Sequence, residues 1–180
     1  LIKYSTVFII LLMVQPSLVN ASSNCTGYTY VEDNNSILKY IGDWTLDNNS
    51  VYGGTNSHGG SHSYTPSGSV ELTFKGTEIQ FYGKTGPGAG TAKIYLDNMT
   101  SPIKTIDQYT DSHTYQKLWY QNTGLSNTEH TIKIETYDKN PSSTGTYLNV
   151  DYFIYQNCSP SAPIPVTGLE WPTLFLFGIG

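Results

Sequence analysis

The sequence predicts an all-β fold, a jelly-roll β-sandwich, and three observations support this prediction. Apolar and polar residues alternate along segments such as 70–74 and 148–154, which is typical of half-buried strands. The chain contains 15 Tyr and 6 Phe, residue types that favour strands. No stretch combines the length, period and end signals of a helix. Short strands joined by turns, about seven or eight of them, are the usual pattern of a sandwich or jelly roll.

The predicted strands follow one another along the chain and are separated by turn residues. The alternating segments are 70–74, 79–81, 92–96, 132–134 and 148–154. Between them, Gly, Asn, Asp and Pro cluster at 75–77, 83–90, 96–98, 122–124 and 140–145.

The glycine-rich segment 83–90 contains Gly83-Lys84-Thr85, which raises the question of phosphate binding. A phosphate-binding loop requires a glycine five residues before Gly83, and Glu78 stands there. The segment also leads into TAKIYLD, a strand pattern, so no helix N-terminus is available for an anion. We therefore exclude nucleotide binding and interpret the segment as a hairpin-like connection.

Composition argues against two further classes of protein. The chain has nine Lys, no Arg and a net charge of −5, which does not suit a nucleic-acid partner. No nucleophile motif or characteristic carboxylate pair appears, so the sequence predicts that the protein is not an enzyme.

Both ends of the chain indicate export to the cell surface. Residues 1–21 resemble a signal peptide, with Lys3 followed by a short apolar run. Cys25 and Cys158 bracket the segment 25–158, and in an exported protein they are expected to form a disulfide; unpaired thiols are the alternative. Residues 159–180 are interpreted as a Ser/Pro linker, a sorting-like motif IPVTG and the start of a truncated hydrophobic anchor. The alternative is an ordinary linker to an anchor or another domain.

Several strings of the sequence resemble the galactose-binding-like jelly-roll domains of secreted and surface proteins. They are VEDNNSILKYIGDWTLDN, YGGTNSHGGS, VELTFKGTEIQFYGKTGPGAGTAKIYLDN, LWYQNTGLSNTEHTIKIE and YLNVDYFIY. The resemblance extends over about residues 28–156. The resemblance implies a noncatalytic module that binds carbohydrate or serves in adhesion. Many such domains bind no ligand, so the resemblance supports the fold more strongly than the function.

The same resemblance implies a structural calcium ion. Related jelly rolls hold one between acidic residues at the start of the domain and an Asp in the last strand, and Glu32, Asp33 and Asp151 match these positions. Oxygen ligands of this kind suit calcium. The alternative is that Asp33 caps a turn and Asp151 accepts backbone hydrogen bonds.

The candidate sugar-binding residues lie in or beside polar loops and carry either a ring that can stack on a pyranose or a group that can bind hydroxyls. They are Tyr52, His62, Tyr82, Trp119, Tyr137, Asp138, Asn140 and Tyr147, with Tyr64 and Tyr109 among the further loop aromatics. Trp119 is ambiguous because Leu118 and Trp119 cannot both face inward on a regular strand. Trp44 is predicted to belong to the core.

Recognition is predicted where the loops 52–64, 83–90 and 137–147 converge at one end of the sandwich. Tyr82 or Tyr147 would supply the platform for a sugar ring. The leading functional interpretation is a noncatalytic surface module that binds carbohydrate or another cell-surface ligand. The alternatives are a spacer domain of an adhesin and the ancillary domain of a glycoside hydrolase.

Overall fold

A computed structural model describes residues 24–49 and 53–159 of the chain. Within these ranges the protein forms twelve strands and two short 3-10 turns, Gly54–Asn56 and His58–Gly60. The strands are β1 Asn24–Glu32, β2 Lys39–Gly42, β3 Thr45–Asp47, β4 His62–Thr65, β5 Gly68–Gly76, β6 Glu78–Gly83, β7 Thr91–Leu96, β8 Lys104–Asp107, β9 Lys117–Asn122, β10 Thr128–Thr136, β11 Leu148–Val150 and β12 Tyr152–Ser159. None of the helical turns in these ranges has the length and apolarity needed to span a bilayer.

The strands form antiparallel sheets, which confirms the prediction of an all-β sandwich. The order β1-β12-β6-β9 builds a four-stranded sheet, and β2-β5-β10-β7-β8 builds a five-stranded one. The strands β11, β4 and β3 form a small third sheet in the order β11-β4-β3. The predicted seven or eight strands were too few, because β2, β3, β4 and β8 have only three or four residues each and show too little alternation. In addition, the predicted segment 148–154 divides into β11 and β12.

A single hydrophobic cluster is built from the inward faces of the two large sheets. Ile79, Phe81 and Phe153 come from the four-stranded sheet, and Leu72 and Ile132 from the five-stranded one; all five are fully buried. Alternation along each strand places these side chains on one face. Each buried side chain of this size contributes about 1.5–3 kcal/mol relative to exposure, so the cluster is the main source of stability.

The two tryptophans of the described strands and turns both pack inward. Trp44 is half-buried against the core beside Tyr40, with ring centroids 4.6 Å apart. Trp119 is 8% exposed and belongs to the core cluster. A register shift in the β6–β9 pairing skips Trp119, and Leu118 is exposed. Of these two neighbours, Trp119 is therefore the one that faces the core.

The predicted disulfide between Cys25 and Cys158 is confirmed, with an S–S distance of 2.02 Å. It joins β1 to β12, which also pair along their length from Gly27 to Glu32. The bridge closes a loop with a sequence separation of 133 residues. Chain entropy in the unfolded state then gives a stabilisation of about 5 kcal/mol at most.

The interpretation of segment 83–90 as a hairpin-like connection is wrong. β6 pairs with β12 and β9, whereas β7 pairs with β10 and β8, so the segment crosses from one large sheet to the other. Sequence alternation identifies a strand but not its partner, and a glycine-rich turn suits a crossover as well as a hairpin. This crossover positions the site described next.

Candidate functional site

A pocket of about 360 Å³ lies where the crossover 84–90 meets the segment 144–149. Two tyrosines stand in its wall: the rings of Tyr64 and Tyr147 meet edge to face, with centroids 5.5 Å apart and planes at 85°. The described residues lining it are Tyr64, Lys84, Gly86, Pro87, Gly88, Ala89, His113, Thr144, Tyr147 and Asn149. The wall is thus aromatic on one side and polar on the other.

Backbone hydrogen bonds hold the two loops together and fix the position of Tyr147. The Tyr147 N–H donates to the carbonyl of Gly88 at 3.1 Å, and the Gly90 N–H donates to the carbonyl of Tyr147 at 3.0 Å. Glycine is needed at position 90, since a Cβ there would lie 2.9 Å from the backbone of Thr146. The aromatic wall therefore rests on a rigid backbone bridge.

The polar part of the pocket is built around Lys84, whose Nζ lies 3.1 Å from Nε2 of the fully buried His62. An ammonium can only donate, so Nε2 accepts and the ring proton sits on Nδ1, which donates to Ser57 Oγ at 3.2 Å. Burial, reinforced by the charge of Lys84, lowers the pKa of His62 to about 4. His62 is therefore neutral at pH 7.

Lys84 is itself almost fully buried, at 6% exposure. Burial lowers the pKa of its ammonium, and the carboxylate of Asp47 acts in the opposite direction. Asp47 is buried too, with Oδ2 lying 3.8 Å from His62 Nε2. The pocket thus has a cation at its wall and an acid behind it.

Asn149 is placed by Gln108, a fully buried residue that follows β8. The Gln108 amide donates to the Asn149 carbonyl at 2.9 Å and accepts from the Asn149 N–H at 2.8 Å. This two-point contact holds the backbone of β11 while leaving the Asn149 side chain in the pocket wall. Gln108 is a positioning residue.

His113 enters the pocket from the segment between β8 and β9. Its Nδ1 lies 3.0 Å from the carbonyl of Thr85, so this nitrogen carries the proton and donates. The Thr114 N–H donates to Thr85 Oγ1 at 2.9 Å, which ties the same segment to the crossover.

The structure separates the predicted sugar-binding residues. Tyr147 lines the pocket, as does Tyr64. Tyr82 does not: it lies on the outer face of the four-stranded sheet, where its ring stacks on Tyr152 with centroids 4.4 Å apart. Tyr52 lies outside the described residues.

His62 and Trp119 were predicted to contact the sugar, and this prediction is wrong because both side chains are buried. His62 lies on β4 with no exposed surface and reaches the pocket only through Lys84. The Trp119 ring packs in the core and has no free face for a sugar. His62 was predicted in or beside a polar loop, but it is the first residue of β4.

The segment 137–140 stands apart from the pocket lining. Tyr137 is 57% exposed, and the ammonium of Lys93 lies 3.6 Å from its ring centroid. Asp138 receives the Lys139 N–H, and the Asn140 amide donates to Asp107. Only the later part of the predicted loop, from Thr144 onward, reaches the pocket.

The carboxylates Glu32 and Asp151 meet at the turn that begins with His58. The His58 N–H lies 3.0 and 3.3 Å from the two Asp151 oxygens, and its Nδ1 lies 2.6 Å from Glu32 Oε1. Burial raises the pKa of Asp151 to about 7, helped by the charges of Asp33 and Glu32. Glu32 Oε2 is buried and has no hydrogen-bond partner.

Asp33 is satisfied by hydroxyls, since Ser61 and Ser63 donate to its two oxygens at 2.7 and 2.8 Å. The oxygen chemistry of the cluster suits calcium, and the unpartnered Glu32 oxygen would gain a partner from a cation. Among residues 24–49 and 53–159, however, no three acidic, histidine or cysteine side chains are arranged to hold a metal ion. Calcium binding stays a prediction.

Sequence reasoning did not select Lys84, His113 or Asn149 as site residues. In the sequence, Lys84 belongs to the Gly83-Lys84-Thr85 segment, for which only phosphate binding was weighed. A usable signal existed for Lys84, because it directly follows the alternating strand that ends at Gly83 and stands in a glycine-rich segment. For His113 and Asn149 the sequence carries no such signal.

Comparison with known proteins leads to carbohydrate-acting enzymes. No family model matches the chain. It is 34% identical over 110 residues to an A type blood alpha-D-galactosamine galactosaminidase of Flavonifractor plautii, an alignment covering 60% of this chain and 10% of the relative. It is 30% identical over 129 residues to an A type blood N-acetyl-alpha-D-galactosamine deacetylase of the same organism, covering 71% of this chain and 15% of the relative.

A solved structure supports the fold alone. A two-domain esterase active on acetylated mannans aligns with 82% of this chain and 40% of its own, at a TM-score of 0.57 and 13% identity. These relatives are carbohydrate-acting proteins, which agrees with a carbohydrate-related all-β domain. The prediction that the protein is not an enzyme is wrong as made, because both curated relatives are named as enzymes.

Proposed function

We propose that residues 24–159 form a galactose-binding-like domain that holds a sugar in the pocket between Tyr64 and Tyr147. The observation that carries this proposal is the pair of perpendicular tyrosine rings beside amide, ammonium and imidazole groups. A sugar ring has apolar C–H faces and a rim of hydroxyls, so it needs both kinds of wall. Pockets of small-molecule ligands have volumes of about 300–1,000 Å³, which includes the volume found here.

The domain would serve a longer carbohydrate-active protein by holding the glycan. The chain spans only 10% and 15% of its two curated relatives, so their activities are not transferred to it. Their names nonetheless make a glycan with N-acetylgalactosamine, whose amide is uncharged, a reasonable first ligand. This corresponds to the ancillary-domain alternative in the sequence interpretation.

Three further proposals concern parts of the protein that the comparisons leave open. We propose export guided by residues 1–21, surface attachment through residues 164–168, and a calcium ion at Glu32, Asp33 and Asp151. The first two segments lie outside the described residues. The third is supported by the unpartnered Glu32 oxygen.

A glycan array followed by affinity measurements on the chain tests the sugar-binding proposal. We expect Tyr64→Ala and Tyr147→Ala each to weaken binding about tenfold, since each removes a ring worth roughly 0.5–1.5 kcal/mol beyond its buried area. Tyr137→Ala is the matched control, because that tyrosine is exposed and lies outside the lining. Failure of every glycan to bind would leave the spacer interpretation, and unchanged binding in both pocket variants would move the site elsewhere.

A further inference from the structure

We propose that the pocket selects sugars by charge: it accepts neutral and carboxylate-bearing sugars and rejects protonated amino sugars. The selecting group is the ammonium of Lys84. This inference rests on the proposed sugar-binding function and names the class of ligand that the pocket takes.

The position of the Lys84 charge is fixed by its surroundings. Its Nζ donates to His62 Nε2 at 3.1 Å, and His62 is itself held through Nδ1 by Ser57. The Tyr115 ring lies on another side of the ammonium, with its centroid 5.7 Å from Nζ. Because Lys84 is 6% exposed and its partner His62 is fully buried, the ammonium cannot move into solvent to avoid a cationic ligand.

The carboxylate of Asp47 does not line the pocket. Asp47 is 2% exposed and lies behind the pocket wall, within 3.8 Å of His62. Among the described residues that line the pocket, none carries a carboxylate. An ammonium group on a sugar would therefore meet a fixed cation and find no anionic partner in this wall.

Neutral partners in the wall suit hydroxyl and amide groups. The Asn149 side chain and the Tyr147 ring flank the space, and both accept uncharged polar ligands. His62 is neutral because burial, reinforced by the charge of Lys84, lowers its pKa, so it adds no charge of its own. Replacing a sugar hydroxyl by an ammonium thus adds repulsion from Lys84, which lines the pocket, and a smaller attraction to Asp47, which does not line it.

Pairs of monosaccharides that differ only at one carbon test the inference directly. Galactose is compared with galactosamine, glucose with glucosamine, and mannose with mannosamine, and the matching uronic acids supply the anionic arm. Binding is measured by isothermal titration or by ligand-observed NMR at pH 6.5 and low salt, using the full chain. Two like charges about 5 Å apart at a partly buried site repel strongly enough to weaken binding about tenfold or more.

The expected result is that the amino sugar binds at least about tenfold more weakly than its neutral partner, while the uronic acid binds at least as well. In Lys84→Met the ratio of neutral to amino sugar should fall towards one. Lys93→Met is the control, since Lys93 lies over the exposed Tyr137 ring outside the pocket, and it should keep the wild-type ratio.

Should Lys84→Met fail to fold, the pH dependence of the wild type serves instead. Raising the pH until the sugar amine is deprotonated should restore amino-sugar binding without changing that of the neutral sugar. Equal affinity for amino and neutral sugars at pH 6.5 overturns the charge inference and leaves sugar binding intact. If no neutral sugar of the three series binds and the glycan array is also blank, the proposed function itself fails.

Discussion

Asp151 offers a direct test of the electrostatics around the His58 turn, through the substitution Asp151→Asn. The side chain is fully buried, and its oxygens accept the His58 N–H at 3.0 and 3.3 Å. Burial, with the neighbouring charges of Asp33 and Glu32, raises its pKa from 3.8 to about 7. Ionising this carboxyl in the folded protein is therefore unfavourable compared with the unfolded chain.

The direction of the pKa shift of Asp151 determines how the unfolding free energy depends on pH. The folded-state pKa lies above the unfolded value, so the penalty is absent below about pH 4 and grows as the pH rises towards 7. Each pKa unit corresponds to about 1.4 kcal/mol, which sets a ceiling of about 4 kcal/mol for the roughly three units involved. Because local rearrangement and water entry reduce such penalties, we expect Asp151→Asn to stabilise the domain by about 1–3 kcal/mol at pH 7.5.

Urea unfolding at pH 4, 5.5 and 7.5 in the presence of EDTA measures this difference. The gain in unfolding free energy for Asp151→Asn should be near zero at pH 4 and largest at pH 7.5. Asp138→Asn, a change at an exposed carboxylate, should show no such trend. A variant that is less stable than the wild type at pH 7.5, or a difference independent of pH, would refute the reasoning.

Four other perturbations have defined outcomes. Calcium added to the EDTA-treated protein should raise the melting temperature of the wild type but not of Asp151→Asn, and equal shifts in differential scanning calorimetry would count against a site there. Replacing both Cys25 and Cys158 by serine should lower the unfolding free energy by about 2–5 kcal/mol; a loss below 1 kcal/mol in urea titration would contradict the role of the bridge. Gln108→Leu should destabilise the domain by about 1–3 kcal/mol and weaken sugar binding, because two buried backbone groups of β11 lose their partner. His130 donates from both ring nitrogens, and although burial opposes its charge, the contacts to the Ser126 carbonyl and the Asp97 carboxylate raise its pKa. The stabilisation from this charge is complete below about pH 6.5 and is lost as the pH rises through the raised pKa. His130→Gln should therefore flatten that part of the curve of unfolding free energy against pH.

The fold could be predicted from the sequence where alternation is long, and less well where it is short. Val70, Leu72 and Phe74 predict β5 because buried residues alternate with less buried ones from Val70 to Gly76. The alternation over 148–154 predicted one strand there, but the structure divides it into β11 in the three-stranded sheet and β12 in the four-stranded sheet. The pairing of the strands could not be predicted from the sequence either, because the order of strands in a sheet depends on contacts between residues distant in sequence. The crossover 84–90 is an example.

The site was only partly predictable for a related reason. Tyr147 could be chosen because an aromatic in a polar loop is unusual and easily noticed. Tyr82 met the same criterion, yet the strand extends one residue beyond it and turns its ring onto the outer face of the sheet. Lys84 became important only because His62 is buried next to it, and the sequence separates these two residues by 22 positions.

The joined ends of the domain have a mechanical consequence. The Cα atoms of Cys25 and Cys158 are 4.2 Å apart, and the strands that carry them run side by side. Tension applied to the chain before Cys25 and after Cys158 would pass through the covalent bridge and bypass the residues between them. A load on a glycan held in the pocket would instead pass through the folded domain to these bridged ends.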